Sequence, residues 1–176
     1  MTYATAYQSA SFVSDLAHAL LATAASALGA AAPASQYVSA GQPAADGCDQ
    51  LVVWVDALRL VRPKGVKLTT VTDAETMEPK GALPVVDFNV QILRCGAPVI
   101  QGNVLPTPTA IDTHAVSMLT DGWPLYRGIL AALYAQTLFG TPNPVPGHHT
   151  LVKDMTAYGP AGGVAGWTVP VCLSLY

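Results

Sequence analysis

His148, His149 and Asp154 bring two imidazoles and a carboxylate within seven positions, and His114 offers a third imidazole. Such groups could hold a divalent metal and activate water for hydrolysis. The spacing matches no zinc motif such as H-E-x-x-H, and adjacent strand residues point to opposite faces. A structural or solvent-facing histidine pair is therefore expected, and no metal or cofactor.

Cys95 or Cys172 could serve as a nucleophile beside one of the four histidines. No local signature surrounds either of them. Cys172 lies in an apolar run, where a thiol stays protonated and inert. The serines lack a G-x-S-x-G setting. Gly159 to Gly166 is glycine-rich but has no G-K-[S/T] ending, and a strand pattern follows it. A phosphate cradle needs a helix N-terminus there, so a hairpin is expected instead. None of these patterns predicts an enzyme.

The most charged stretch is 63–82, with Lys64, Lys67, Asp73, Glu75, Glu78 and Lys80. Pro63, Gly65, Pro79 and Gly81 punctuate it. A loop of that length in a compact domain is usually functional. These six charged residues are the expected contact with a protein partner. Their mixed signs suit register and orientation.

Charge is scarce elsewhere. The chain is 51% hydrophobic and 11% charged, against roughly 25% charged for an ordinary soluble domain. The first basic side chain is Arg59. A surface this poor in charge is explained if other subunits cover part of it. The net charge of -3 with no basic cluster speaks against tight nucleic-acid binding. The Ala- and Leu-rich segment Ser11 to Ala32 lacks the basic flank of a secretory signal. Asp15 and His18 interrupt it, so no membrane span is expected. The three cysteines are expected as buried, reduced thiols.

At 176 residues one domain is expected: an arm over 1–10, then a single α+β domain over 11–176 with a projecting loop at 63–82. Phe12, Leu16, Leu20, Ala24 and Leu28 recur every four residues and predict a helix ended by Gly29 and Pro33. Residues 33–47 read as a long connection. Leu51–Val61 predicts a strand covered on both faces. Val85–Cys95 predicts a second, with Phe88, Val90 and Ile92 alternating. Antiparallel pairing would bring Cys48 and Cys95 to one end of the ladder, where a reversible disulfide would need the right Cβ geometry, but cytosolic thiols are expected to stay reduced.

Thr109 or Asp112 is the expected cap of a short helix, broken at Gly122 and Pro124. A second helix is expected from about Pro124 to Phe139, with Tyr126, Ile129, Leu130, Leu133, Tyr134 and Leu138 on its apolar face. Trp123, Tyr126 and Tyr134 suit either a core or a subunit interface. Strands are predicted over His148–Ala157 and from Ala165 to the terminus, with a turn over Tyr158–Gly163. Pro170 argues for an edge or a bulge in the last strand. Trp167 is expected to pack on the helix at Leu130 and Leu133. The pattern is α+β: an antiparallel or mixed sheet with an N-terminal helix and a long central helix on one face.

Four segments carry a family resemblance: Gly47-Cys-Asp-Gln-Leu51, Phe88-Asn-Val-Gln-Ile-Leu-Arg-Cys95, Asp121-Gly-Trp-Pro-Leu-Tyr-Arg-Gly128 and Gly162-Gly-Val-Ala-Gly-Trp-Thr-Val-Pro-Val171. Together they resemble neck and tail proteins of long-tailed actinobacterial phages, and the tail terminators most. The order of elements is also similar to the terminator fold. The resemblance implies a structural virion protein, assembled in the host cytoplasm as a ring of six. Such a ring ends the tail tube and joins it to the head connector or stopper protein. DNA passes through it without tight binding, and no catalytic residue is implied. The alternatives are another head–tail connector, a minor tail protein or, in another class, a small metal-dependent hydrolase.

Overall fold

The computed structural model describes residues 11–43, 47–64, 67–70, 83–96, 105–139, 150–161 and 163–174. The expected arm over 1–10 lies outside them.

The four-residue stripe becomes helix α1, Phe12–Leu28. All five predicted stripe residues are buried. A 3-10 turn, Gly29–Ala31, follows. Phe12–Ala31 is long and apolar enough by composition to cross a bilayer. Here Leu16, Ala17, Leu20 and Ala24 are fully buried in the common core.

Among the described residues, seven strands form one mixed sheet. They are β1 (Ser35–Ser39), β2 (Gln50–Lys64), β3 (Lys67–Thr70), β4 (Leu83–Cys95), β5 (Thr150–Val152), β6 (Thr156–Ala161) and β7 (Val164–Ser174). The order is β1-β2-β4-β7-β5, with β3 paired to β2 and β6 to β7. Among the described strands β1 pairs parallel with β2, and the other pairs are antiparallel. The chain is thus α+β with a mixed sheet.

Register assembles the core. Leu51, Ile92 and Trp167 lie side by side across β2, β4 and β7. Val53, Val90 and Val169 form the next row, then Val55, Phe88 and Val171. These rows share one hydrophobic cluster with α1 and with Leu125 and Ile129 of the second helix. Val61, Val85 and Cys172 make a smaller cluster.

Several expectations are corrected. The connection 33–47 contains β1, whose short polar sequence hides a parallel edge pairing. The start of the loop 63–82 is strand: Lys64 pairs with Lys67, and Val61 with Thr70. The two helices expected over 109–139 are one helix, α2, Pro108–Tyr134. Its cap is Thr107, whose hydroxyl accepts from the Ala110 N–H at 3.2 Å, not Thr109 or Asp112. Pro108 fills the first turn, where no N–H is missed.

Pro124 sits inside α2 and removes the hydrogen bond that the Thr120 carbonyl would accept. Thr120 and Pro124 are both exposed, so water can meet that carbonyl. Leu125 and Ile129, fully buried, hold the helix across the proline. The helix ends before Phe139. Gln136 takes φ 57°, Gln136 N–H donates to the Leu133 carbonyl and Thr137 N–H to the Ala132 carbonyl. This is a Schellman ending with glutamine in the left-handed position. It turns Leu138 and Phe139 back into the core.

The strand expected over 148–157 is two strands, β5 and β6, with Lys153–Met155 between them. Pro170 lies in β7, an interior strand rather than an edge. Its carbonyl accepts from Lys153 N–H at 2.9 Å. In an antiparallel strand both polar groups of a residue face the same neighbour. The missing Pro170 N–H therefore faces the break between β5 and β6. The turn expected over Tyr158–Gly163 is shorter, because β6 reaches Ala161, which pairs with Val164. β7 is described to Ser174; the last two residues lie outside the described ones.

Candidate functional site

Helix α2 places apolar residues on two adjoining sides. One side carries Leu125 and Ile129 into the core, with Gly122 against the indole of Trp167. The other carries Val116, Leu119, Trp123, Tyr126, Leu130 and Tyr134, spaced three or four residues apart, with Tyr126 also packed against the core. Val116 is 57% exposed, Leu119 61%, Trp123 59% and Tyr134 83%. Leu130 and Tyr126 are half-buried. Trp123 and Tyr134 are therefore surface residues, not core. The Arg127 guanidinium lies 5.9 Å from the Trp123 ring centroid, a cation–π contact at the edge of the stripe. This surface has the make-up of a protein interface centre, rich in aromatic residues and nearly free of charge.

The middle of α2 is fixed by Arg94. Its guanidinium reaches both carboxylate oxygens of Asp121, at 2.7 and 3.0 Å. It also binds Asp49 and the Ala31 carbonyl. One side chain thus joins β4, α2, the segment before β2 and the end of the first helix. The Asp121 hydrogen bond chiefly raises the Arg94 pKa above its ordinary value, against the opposing effect of burial. The sequence gives no local sign of this cluster beyond Asp121 in an otherwise apolar helix turn.

Cys48 and Cys95 are joined in a disulfide, with Cα atoms 4.9 Å apart. This corrects the expectation of three reduced thiols. The register pairs Gln50 with Leu93, and two further steps bring Cys48 opposite Cys95. Cys172 remains a free, buried thiol. Burial first, then the hydrogen bond to Asp87, pushes its pKa up to about 11. At neutral pH it is a protonated thiol. Asp87 also binds Arg59, through Oδ2 at 2.5 Å and Oδ1 at 3.1 Å. Burial works to raise the Asp87 pKa and is the largest single effect. The hydrogen bonds from Arg59 and Cys172, with the charges of Arg59 and Lys153, outweigh it and hold the carboxyl below its usual range.

Lys64 and Lys67 are register partners in the β2–β3 pairing. Asp73, Glu75, Glu78 and Lys80 lie outside the described residues, as do His148 and His149. Asp154 lies between β5 and β6, and His114 on the first half of α2. Among the described residues, no three His, Cys, Asp or Glu side chains converge as a metal site. A depression beside the disulfide is lined by Cys95, Thr107, Thr113, His114 and Ser117. It contains hydroxyls and an imidazole but no carboxylate or cation among its lining residues.

No protein-family model matches this chain, and no curated protein matches it.

Proposed function

We propose that this chain is a structural ring subunit in the neck of a long-tailed phage, and specifically a tail terminator. The observation that carries the proposal is the second apolar side of α2, which a free monomer would leave in water. Sparse charge over the whole chain supports it. In a closed ring each copy offers one surface to one neighbour and a different surface to the other. The α2 stripe is one of these surfaces. Six copies are the expected number.

In this proposal the ring caps the tail tube and meets the head connector or stopper protein. Lys64, Lys67, Asp73, Glu75, Glu78 and Lys80 contact the neighbouring subunit or the tube. DNA passes through the ring, and a small negative net charge keeps phosphate contacts few. The chain works in the virion after assembly in the host cytoplasm, and it performs no catalysis.

The test is a double variant, Leu119→Glu with Trp123→Glu, in the producing phage. Both side chains face solvent in the single chain, so the variant should fold. Heads and tails should then fail to join, or tails should lose length control. Normal yields of infectious particles would reject the proposal.

A further inference from the structure

We propose that the Cys48–Cys95 disulfide is a redox-operated lock on the Arg94 cluster, opened and closed by small-molecule thiols and disulfides. It does not depend on the ring proposal.

The bond sits where the two chains it joins also carry an ion pair. Asp49 follows Cys48, Arg94 precedes Cys95, and Asp49 binds Arg94. Asp49 takes φ 61°, a left-handed backbone that is uncommon for non-glycine residues but that aspartate adopts more readily than most. Its side chain is 54% exposed, whereas that of Asp121 is 9% exposed. An exposed ion pair alone stabilises little. The disulfide is therefore what keeps Asp49 on Arg94, while Asp121 holds the guanidinium from the other side independently.

Both half-cystines are exposed, so a soluble thiolate can reach the sulfurs. Closing proceeds by exchange. The Cys48 thiolate attacks one sulfur of a small disulfide such as oxidised glutathione and releases one glutathione thiolate. The Cys95 thiolate then attacks the Cys48 sulfur of the mixed disulfide and releases the second. The two protein thiols are oxidised, and the glutathione disulfide is reduced to two thiols. The steps reverse in excess reduced glutathione. Cys172 takes no part, being buried in the sheet.

Opening acts on one corner of the fold. The released segment 47–49 leads directly into β2 at Gln50, the first residue paired with β1 at Ser35. The open state therefore loosens segment 47–49 and the edge strand β1. Helix α1 and the β4–β7 ladder retain their own packing.

The test uses the full folded chain, equilibrated in glutathione buffers from fully oxidised to fully reduced. Trapped thiols are read by alkylation and mass spectrometry, and backbone protection by hydrogen exchange. In reduced glutathione, Cys48 and Cys95 should become alkylated and Cys172 should not. Exchange over 35–39 and 47–50 should speed up at least tenfold, with residues 16–24 unchanged. The Cys48→Ser variant should show the faster hydrogen exchange over 35–39 and 47–50 in either buffer. A disulfide that resists reduced glutathione in the folded chain would overturn the proposal. So would identical exchange in both states, or loss of protection throughout the molecule.

Discussion

The indole of Trp167 lies across Gly122. Its Nε1–H donates to the Met118 carbonyl at 2.7 Å, and a Cβ on Gly122 would fall 2.5 Å from the same nitrogen. The contact is with α2, as the alternation in β7 suggests, but about two turns before Leu130. Gly122→Ala must push the indole out or shift the helix, at roughly 1–3 kcal/mol. Trp167→Ala should cost about 3 kcal/mol, near the low end for aromatic truncation because the ring is only partly buried. Urea unfolding of both variants measures this. Stabilities within error of the parent would show that the indole does not fasten α2 to the sheet.

Asp121 and Asp49 share Arg94 but should differ in value. Asp121→Ala removes the better-buried partner of a partly buried guanidinium that keeps Asp49 and the Ala31 carbonyl, and should cost about 1–3 kcal/mol. Asp49→Ala removes an exposed partner and should cost under about 1 kcal/mol in the oxidised protein. Equal losses would contradict the division of roles around Arg94.

Cys172 makes a pH prediction. Its folded pKa of about 11 stands above the ordinary 9.0. Below the ordinary value both states keep the proton, and its contribution is fully present. Between 9 and 11 the unfolded chain loses the proton first, so stability falls as pH rises. The loss is at most about 3 kcal/mol. Thermal unfolding of Cys172→Ala should show a flatter decline over that window than the parent. Parallel curves would mean that burial of this thiol does not couple to folding.

Much of the scaffold was legible because local period and burial coincide. Phe12, Leu16, Leu20, Ala24 and Leu28 repeat at helical spacing, and all are buried. Phe88, Val90 and Ile92 alternate because one face of β4 meets the helices. The antiparallel β2–β4 pairing followed, and with it the placement of Cys48 near Cys95. The misses are long-range. β1 is five mostly polar residues whose strand state comes from β2. Pro124 reads as a breaker, yet packing on both sides of it carries the helix through. Gln136 gives no glycine signal for the left-handed ending of α2. In the site, composition announced surplus apolar surface but not its place. Which side of α2 faced the sheet depended on Gly122 meeting Trp167 and on Gly128 meeting Ala27, contacts between elements far apart in the chain.

The central claim is that the outward side of α2 joins neighbouring copies into a closed ring. Native mass measurement tests it most directly, on the purified chain at high concentration and on the complex gently released from particles. A closed complex of six 18.2 kDa chains is expected, lost in the Leu119→Glu, Trp123→Glu variant although that variant keeps its fold. A single-chain mass in both preparations, or a ring indifferent to the two glutamates, would contradict it.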